Sequence, residues 1–291
     1  MRSRHCANVF FCLLWLLAAA ACSRSNQKDQ DLGVANFEVE GTPEAVESFN
    51  RGLLLLHSFE YEDARESFRG AIRADSGMAM AYWGAAMTFN HPLWHRQERD
   101  SALVILDKLE QSGAEPASDL EADFIKSLEI LFQNENEKDV RDDNYAAFLS
   151  EMAEDYPENH EVQAFYALAL LGSVEDGRDV EIYGKAGEIA AKIIKENAEH
   201  PGALHYLIHA YDDPAHAHLA MEAAQTYAKV APSAGHALHM PSHIFVAQGM
   251  WDEVIASNID SYQASVDRME AKNLDNDARG YHAYHWLQYG Y

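Results

Sequence analysis

The sequence predicts an all-α fold, a solenoid of helix-turn-helix units, on three observations. From about residue 43 the apolar residues recur with helical spacing, and no stretch sustains the period-2 alternation of a half-buried strand. Proline and glycine fall between the helical stretches, at Gly113 to Pro116, Pro157, Pro201-Gly202, Pro214 and Pro232. The chain also resembles itself at a period of about 34 residues, the length of one stacked helical hairpin.

The N-terminus comes before that pattern and differs from it. Arg2 and Arg4 make a short basic region, and Val9 to Ala21 is a nearly unbroken apolar run. Crossing a bilayer takes roughly 20 apolar residues, so a run this short predicts an export signal over residues 1–21. It ends Ala18-Ala19-Ala20-Ala21-Cys22, and small residues before a cysteine resemble the lipobox of bacterial lipoproteins. That resemblance implies lipidation of Cys22 and, with Ser23 next to it, an outer-membrane address facing the periplasm. Ala19 departs from the bulky aliphatic residue usual three places before the cysteine, and leaves cleavage after Ala21 without a lipid as the alternative. The chain has three cysteines, Cys6, Cys12 and Cys22, all within this leader or at its end. The remainder therefore offers no disulfide, thiolate ligand or cysteine nucleophile. Residues 22–42 are polar and predict a flexible tether. The folded domain is expected over 43–291.

Composition sets the outer bounds. Of 291 residues, 48% are apolar and 24% charged, as in a globular protein. The net charge of −25 repels phosphate and excludes a nucleic-acid partner; it also disfavours anionic lipid head groups, which leaves the lipid anchor as the only membrane contact.

The repeats can be followed along the chain. Gly52, Ala64, Phe68 and Ala71 are spaced as in the tetratricopeptide repeat, which this segment resembles. With Gly52 at repeat position 8, Ala45 is position 1 and Ala79 opens the next unit, where Tyr82, Ala86 and Phe89 take positions 4, 8 and 11. Tyr145 to Pro157 and His160 to Leu171 read as a further second and first helix. Gly249-Met250-Trp251-Asp252-Glu253-Val254 resembles the turn inside a unit, and counting back makes Gly235 a position 1. About six units result. The resemblance implies a right-handed α-solenoid with a concave groove. Tyr281 to Tyr291 reads as the first helix of another unit with no second helix, so the domain is expected to continue beyond Tyr291.

Histidines supply the chemistry. The chain has 15, and ten lie between residues 200 and 285. His205 and His209 are four apart, and His236, His239 and His243 share one helical face. Imidazoles one turn apart converge on a single ion, and helices pack about 8–10 Å apart, so neighbouring units could share it. In the repeat register all five face the groove. An all-histidine set suits zinc, copper, nickel or iron, with Asp212, Asp213 or a tyrosine in support. His282 and His285 are further candidate ligands. His57, Trp83, His91, Trp94, Tyr206 and Tyr211 are the candidate groove residues. Neither histidine pair carries the glutamate of HExxH, and there is no phosphate loop, GxSxG elbow or dinucleotide fingerprint.

The strings Ala81-Tyr82-Trp83-Gly84, Asn90-His91-Pro92-Leu93-Trp94, His200-Pro201-Gly202-Ala203-Leu204-His205-Tyr206 and His236-Ala237-Leu238-His239-Met240-Pro241-Ser242-His243-Ile244 resemble exported bacterial tetratricopeptide-repeat proteins. That group implies the fold and export, and carries no substrate or catalytic residue. Two functions follow. One is an envelope-anchored scaffold that takes a peptide or protein in its groove. The alternative is a metalloprotein, or metalloenzyme, with a histidine-ligated transition metal there.

Overall fold

The computed structural model describes residues 31–133 and 135–291. The export signal and Cys22 lie outside them. Fourteen α-helices among the described residues form six successive antiparallel hairpins and one unpaired final helix. The hairpins are α1 (Pro43–His57) with α2 (Tyr61–Ala74), α3 (Ala79–Met87) with α4 (Arg99–Ser112), and α5 (Asp119–Leu128) with α6 (Lys138–Asp155). They continue with α7 (His160–Ser173) and α8 (Val180–Glu196), then α9 (Pro201–Ala210) and α10 (Met221–Val230). The sixth has a broken first helix, α11 (Gly235–His239) and α12 (Pro241–Ala247), packed on α13 (Trp251–Lys272). Helix α14 (Tyr281–Gly290) follows.

The 34-residue register is visible in the packing. Phe68 of α2 is fully buried between Gly52 of α1 and Gly84 of α3. A β-carbon on Gly84 would lie 2.2 Å from the Phe68 ring, so close helix approach requires glycine there. Helix α3 is short because Pro92 ends it. A two-residue antiparallel ladder, β1 (Asn90–His91) with β2 (Arg96–Gln97), turns the chain into α4 through the left-handed His95. Pro241 likewise breaks the sixth unit. Met240 keeps helical angles, so α12 follows α11 with little change of direction.

Two expectations are corrected here. Residues 31–42 are not a flexible tether. Leu32 is buried, the Val34 amide donates to the Glu199 carbonyl at 2.8 Å, and the Phe37 ring packs edge-on to Phe124 at 5.1 Å. Alternate apolar residues make this strap an extra core element.

The solenoid also has no open groove along its first helices, because the first hairpin packs against the last ones. His57 meets Tyr206 of α9, Ser58 meets Tyr227 of α10, and Glu60 meets the start of α11. At the rim, Arg268 and Lys272 of α13 both pair with Asp63 of α2. The surface expected to line a concave groove becomes an interior seam, and the α1–α2 turn fills it.

Candidate metal centre

The histidines of α9, α11, α12 and α14 meet at this seam. His205 and His209 lie one turn apart on α9, with Nε2 atoms 3.1 Å apart. His236 opens α11 and brings its Nε2 to 3.2 Å from that of His205. Four residues apart in the chain, His239 and His243 bracket the Pro241 break, and their Nε2 atoms are 3.1 Å apart. His282 of α14 completes the second group, its ring 4.6 Å from that of His239. Within each group of three the ligand atoms lie within 4.8 Å of one another. Bonds of about 2.0–2.1 Å at angles near 90–110° place ligand nitrogens about 2.8–3.4 Å apart, and the 3.1–3.2 Å separations fall in that range.

Hydrogen bonds on the far side of the rings fix which nitrogens can act. His205 Nδ1–H donates to the carbonyl of His57 at 2.7 Å. The Nδ1–H of His239 donates to Asn258 Oδ1 at 2.7 Å; the Asn258 amide is oriented by its own donation to the Val254 carbonyl. His243 Nδ1–H donates to Asp212 Oδ2 at 2.7 Å. In its neutral form each of these three imidazoles is thereby left with a bare Nε2 lone pair pointing at its neighbours. Two lone pairs 3.1 Å apart repel unless a cation lies between them. Carbonyl, amide and carboxylate partners behind ligating rings are the usual outer support of a histidine metal site.

Burial disfavours the charged form of His205, His209, His236, His239 and His282. It pushes His205 down to about 3 and His239 down to about 3, with neighbouring imidazoles adding to the effect. His209 and His236 are held well below the ordinary histidine range for the same reasons. His282 is lowered by burial and then by His243 and His285. The neutral form is the one that binds a metal.

The α1–α2 turn shapes the first group. Phe59 adopts a left-handed φ of 56°, rare for a bulky residue, and sets its ring 4.3 Å from that of His205. Glu60 accepts the His236 amide at 2.9 Å and anchors the start of α11. Trp286 of α14 covers the second group, 4.6 Å from His243. Cavities flank the cluster on both sides. One, of about 230 Å³, is lined by Leu93, Trp94, Met240 and histidines of both groups. The other, of about 280 Å³, reaches His236, His239 and His282 beside Arg268.

The other sequence candidates separate into different places. His57, Trp83 and Tyr206 are buried core residues and line no groove. His91 is half-buried and stacks on Tyr61 at 4.0 Å, while Trp94 is exposed at the mouth of a cavity. Tyr211 is half-buried against Gly187. His285 is exposed and lies outside both groups. Asp212 supports His243, whereas Asp213 instead pairs with Arg178 and His216.

A third group, His57, Glu161 and His200, is wholly buried. Glu161 accepts from His57 Nε2–H at 2.7 Å and His200 Nε2–H at 3.2 Å. Ala203 N–H occupies His200 Nδ1 at 3.1 Å, and the Tyr206 hydroxyl donates to His57 Nδ1 at 2.9 Å. His200 therefore needs the proton on Nε2 and has no lone pair for an ion there. This group is a latch that joins α1, α7 and α9. Gly202 lets His57 in; a β-carbon there would sit 2.4 Å from His57 Nδ1.

Sequence reasoning missed Phe59, Glu60, Asn258 and Trp286. Phe59 and Glu60 act only because the first unit packs against the fifth and sixth, and no local pattern encodes that.

No family model and no curated protein matches the chain. Among solved structures it is similar to YrrB, a TPR protein with an unusual peptide-binding site. The identity is 17%, the match covers 67% of this chain and 90% of that one, and the TM-score is 0.34. The repeat architecture described above rests on the helical hairpins and their glycine–phenylalanine contacts.

Proposed function

We propose that this protein binds a transition metal through the histidines at the closed seam of its helical repeats. The observation that carries this reading is the pair His239 and His243, whose Nδ1 protons are committed to Asn258 and Asp212 while their Nε2 lone pairs face each other at 3.1 Å. As neutral rings the two set acceptor against acceptor, an arrangement that a bound cation resolves. At His205 the Nδ1 proton is likewise committed, and its Nε2 lone pair faces the Nε2 atoms of His209 and His236. With no thiolate and no carboxylate among the six rings, zinc, copper, nickel and iron remain the suitable ions. The two cavities leave room for an outside ligand at the open coordination position of a three-histidine site. Burial of His57, Trp83 and Tyr206 removes much of the surface on which a peptide-binding groove would depend.

The test is the metal content of the full chain, purified without a polyhistidine tag, by elemental mass spectrometry. At least one equivalent of a transition metal is expected, and the His209→Ala/His243→Ala double variant should lose it. A folded, metal-free chain after incubation with each of the four ions would overturn the reading. We further propose that the protein is exported and lipid-anchored through Cys22, a reading supported by the leader sequence. Incorporation of labelled palmitate that persists in Cys22→Ser would refute it.

A further inference from the structure

The two histidine groups are neighbours. His236 of the first and His239 of the second have ring centroids 6.0 Å apart; His209 and His243 are 6.1 Å apart. Both pairs connect the groups edge to edge, so ions held by each would be adjacent. Six neutral imidazoles cancel none of the ionic charge. Among the described residues Asp212 is the one acid in hydrogen-bond contact with a ligand ring, and it touches Nδ1 of His243 behind the site. Two adjacent dications repel four times as strongly as two monocations at equal distance. Two-metal sites of divalent ions stabilise anionic oxygens, and neither group of three contains a carboxylate. Of the ions that imidazole binds well, copper combines the highest affinity in the divalent series with a stable monocation.

We propose that the two groups hold a pair of copper ions, loaded as Cu(I), with His205, His209 and His236 on one and His239, His243 and His282 on the other. This rests on the metal-binding reading above. The cavity beside Trp94 touches His209 and His236 of the first group and His243 and His282 of the second, so a small ligand entering there reaches both ions. Its walls include Leu93, Leu171 and Met240, and its one guanidinium, Arg178, is already paired with Asp213. With Arg178 so paired and the Asp212 carboxylate on the same wall, the protein itself offers an anion little there, and the cavity is suited to small uncharged ligands that bind the ions directly.

The experiment titrates Cu(I) anaerobically into the full chain carrying Cys6→Ser, Cys12→Ser and Cys22→Ser, so that no thiol competes, against a chromophoric cuprous chelator. Two equivalents are expected in the parent. One is expected in His209→Gln and one in His243→Gln, with circular dichroism checking that each variant is folded. Oxidation of the loaded parent with ferricyanide should give a magnetically coupled Cu(II) pair, seen as lost spin intensity or a half-field transition. Each single-site variant should give an ordinary mononuclear copper signal. If a variant fails to fold, the parent's stoichiometry and spin coupling still decide. One equivalent in the parent, two uncoupled signals, or a preference for a single zinc would overturn the copper pair and leave the metal-binding reading standing. No binding of any metal would overturn both.

Discussion

Replacing Glu161 with glutamine separates the latch from the metal groups. Glu161 and the two imidazoles on it are fully buried. Burial alone would raise the carboxyl, but His200 and His57 outweigh it and hold the group well below the ordinary carboxylate range. Glutamine keeps the volume and one carbonyl acceptor. His200 must take that acceptor, because the Ala203 amide pins its tautomer. The new amide then faces His57, which has to reverse its tautomer and its bond to Tyr206. Two hydrogen bonds to a charged acceptor, each worth about 1.5–3 kcal/mol, become neutral ones worth about 1 kcal/mol. The expected loss for Glu161→Gln is therefore about 1–4 kcal/mol, a large share of a typical stability of about 5–15 kcal/mol. Urea unfolding followed by circular dichroism reads it directly. Metal stoichiometry should not change. A loss below about 1 kcal/mol would refute the tautomer argument. Loss of one bound ion per chain would show that this group is itself a metal site.

Three further outcomes are expected. Gly84→Ala forces a β-carbon onto the Phe68 ring, and overpacking of this kind costs about 1–3 kcal/mol; an unchanged urea midpoint would contradict the interlocked register of the first two units. Asp212→Ala and Asn258→Ala should each weaken metal binding about 10- to 100-fold in chelator competition, since outer-shell partners orient the ligand rings; undiminished affinity would count against the site. The metal-free chain should lose stability in mild acid. His205 and His239 are held at about 3 when folded against about 6.5 unfolded, so below pH 6.5 the unfolded chain binds more protons. Each costs about 1.4 kcal/mol per pH unit, or about 4 kcal/mol for both at pH 5. A melting temperature constant from pH 7 to pH 5 would refute the burial of these rings.

The repeat units could be read from the sequence because their signals are local. Ala45, Gly52, Ala64, Phe68 and Ala79 mark helix contacts by side-chain size alone, and α1 to α3 begin and end near where that spacing puts them. The closeness of His205 to His209 and of His239 to His243 was equally legible, since i, i+4 spacing dictates it, but the expected single shared site is two groups, with His236 in the first and His282 in the second. The partners behind the rings were not legible. Asn258 is on the second helix of the sixth unit, and the His57 carbonyl comes from the first unit, 148 residues before His205. The open groove was the expectation that failed, because repeat spacing describes neighbours and is silent on whether the first and last units touch. The tether failed for a related reason. Leu32, Val34, Ala35, Phe37 and Val39 follow a wholly polar run, and only the finished core shows that Leu32 and Phe37 have a place in it.

Closure also accounts for the odd backbone of the first turn. A left-handed phenylalanine costs about 1–3 kcal/mol and persists only where surrounding contacts overdetermine it. Here they do. The residues on either side of Phe59 are tied to two different helices: the His57 carbonyl to His205 on α9, and the Glu60 carboxylate to the amide of His236 on α11. Ser58 adds a third tie, accepting the Tyr227 hydroxyl at 3.1 Å from α10. An ordinary φ at Phe59 would swing His57 and Glu60 apart and release one of these helices. The turn thus holds α9 and α11 at the separation at which His205 and His236 can share an ion, and a scaffold needing only a stable hairpin would have no use for that strain. The latch extends the same logic one step back: Glu161 grips the ring of the residue whose carbonyl orients His205. On the proposed metal-binding reading, ion, turn and latch are coupled in series, so metal binding should stabilise the contact between the first and the later units, and stability of the closed form should in turn raise metal affinity.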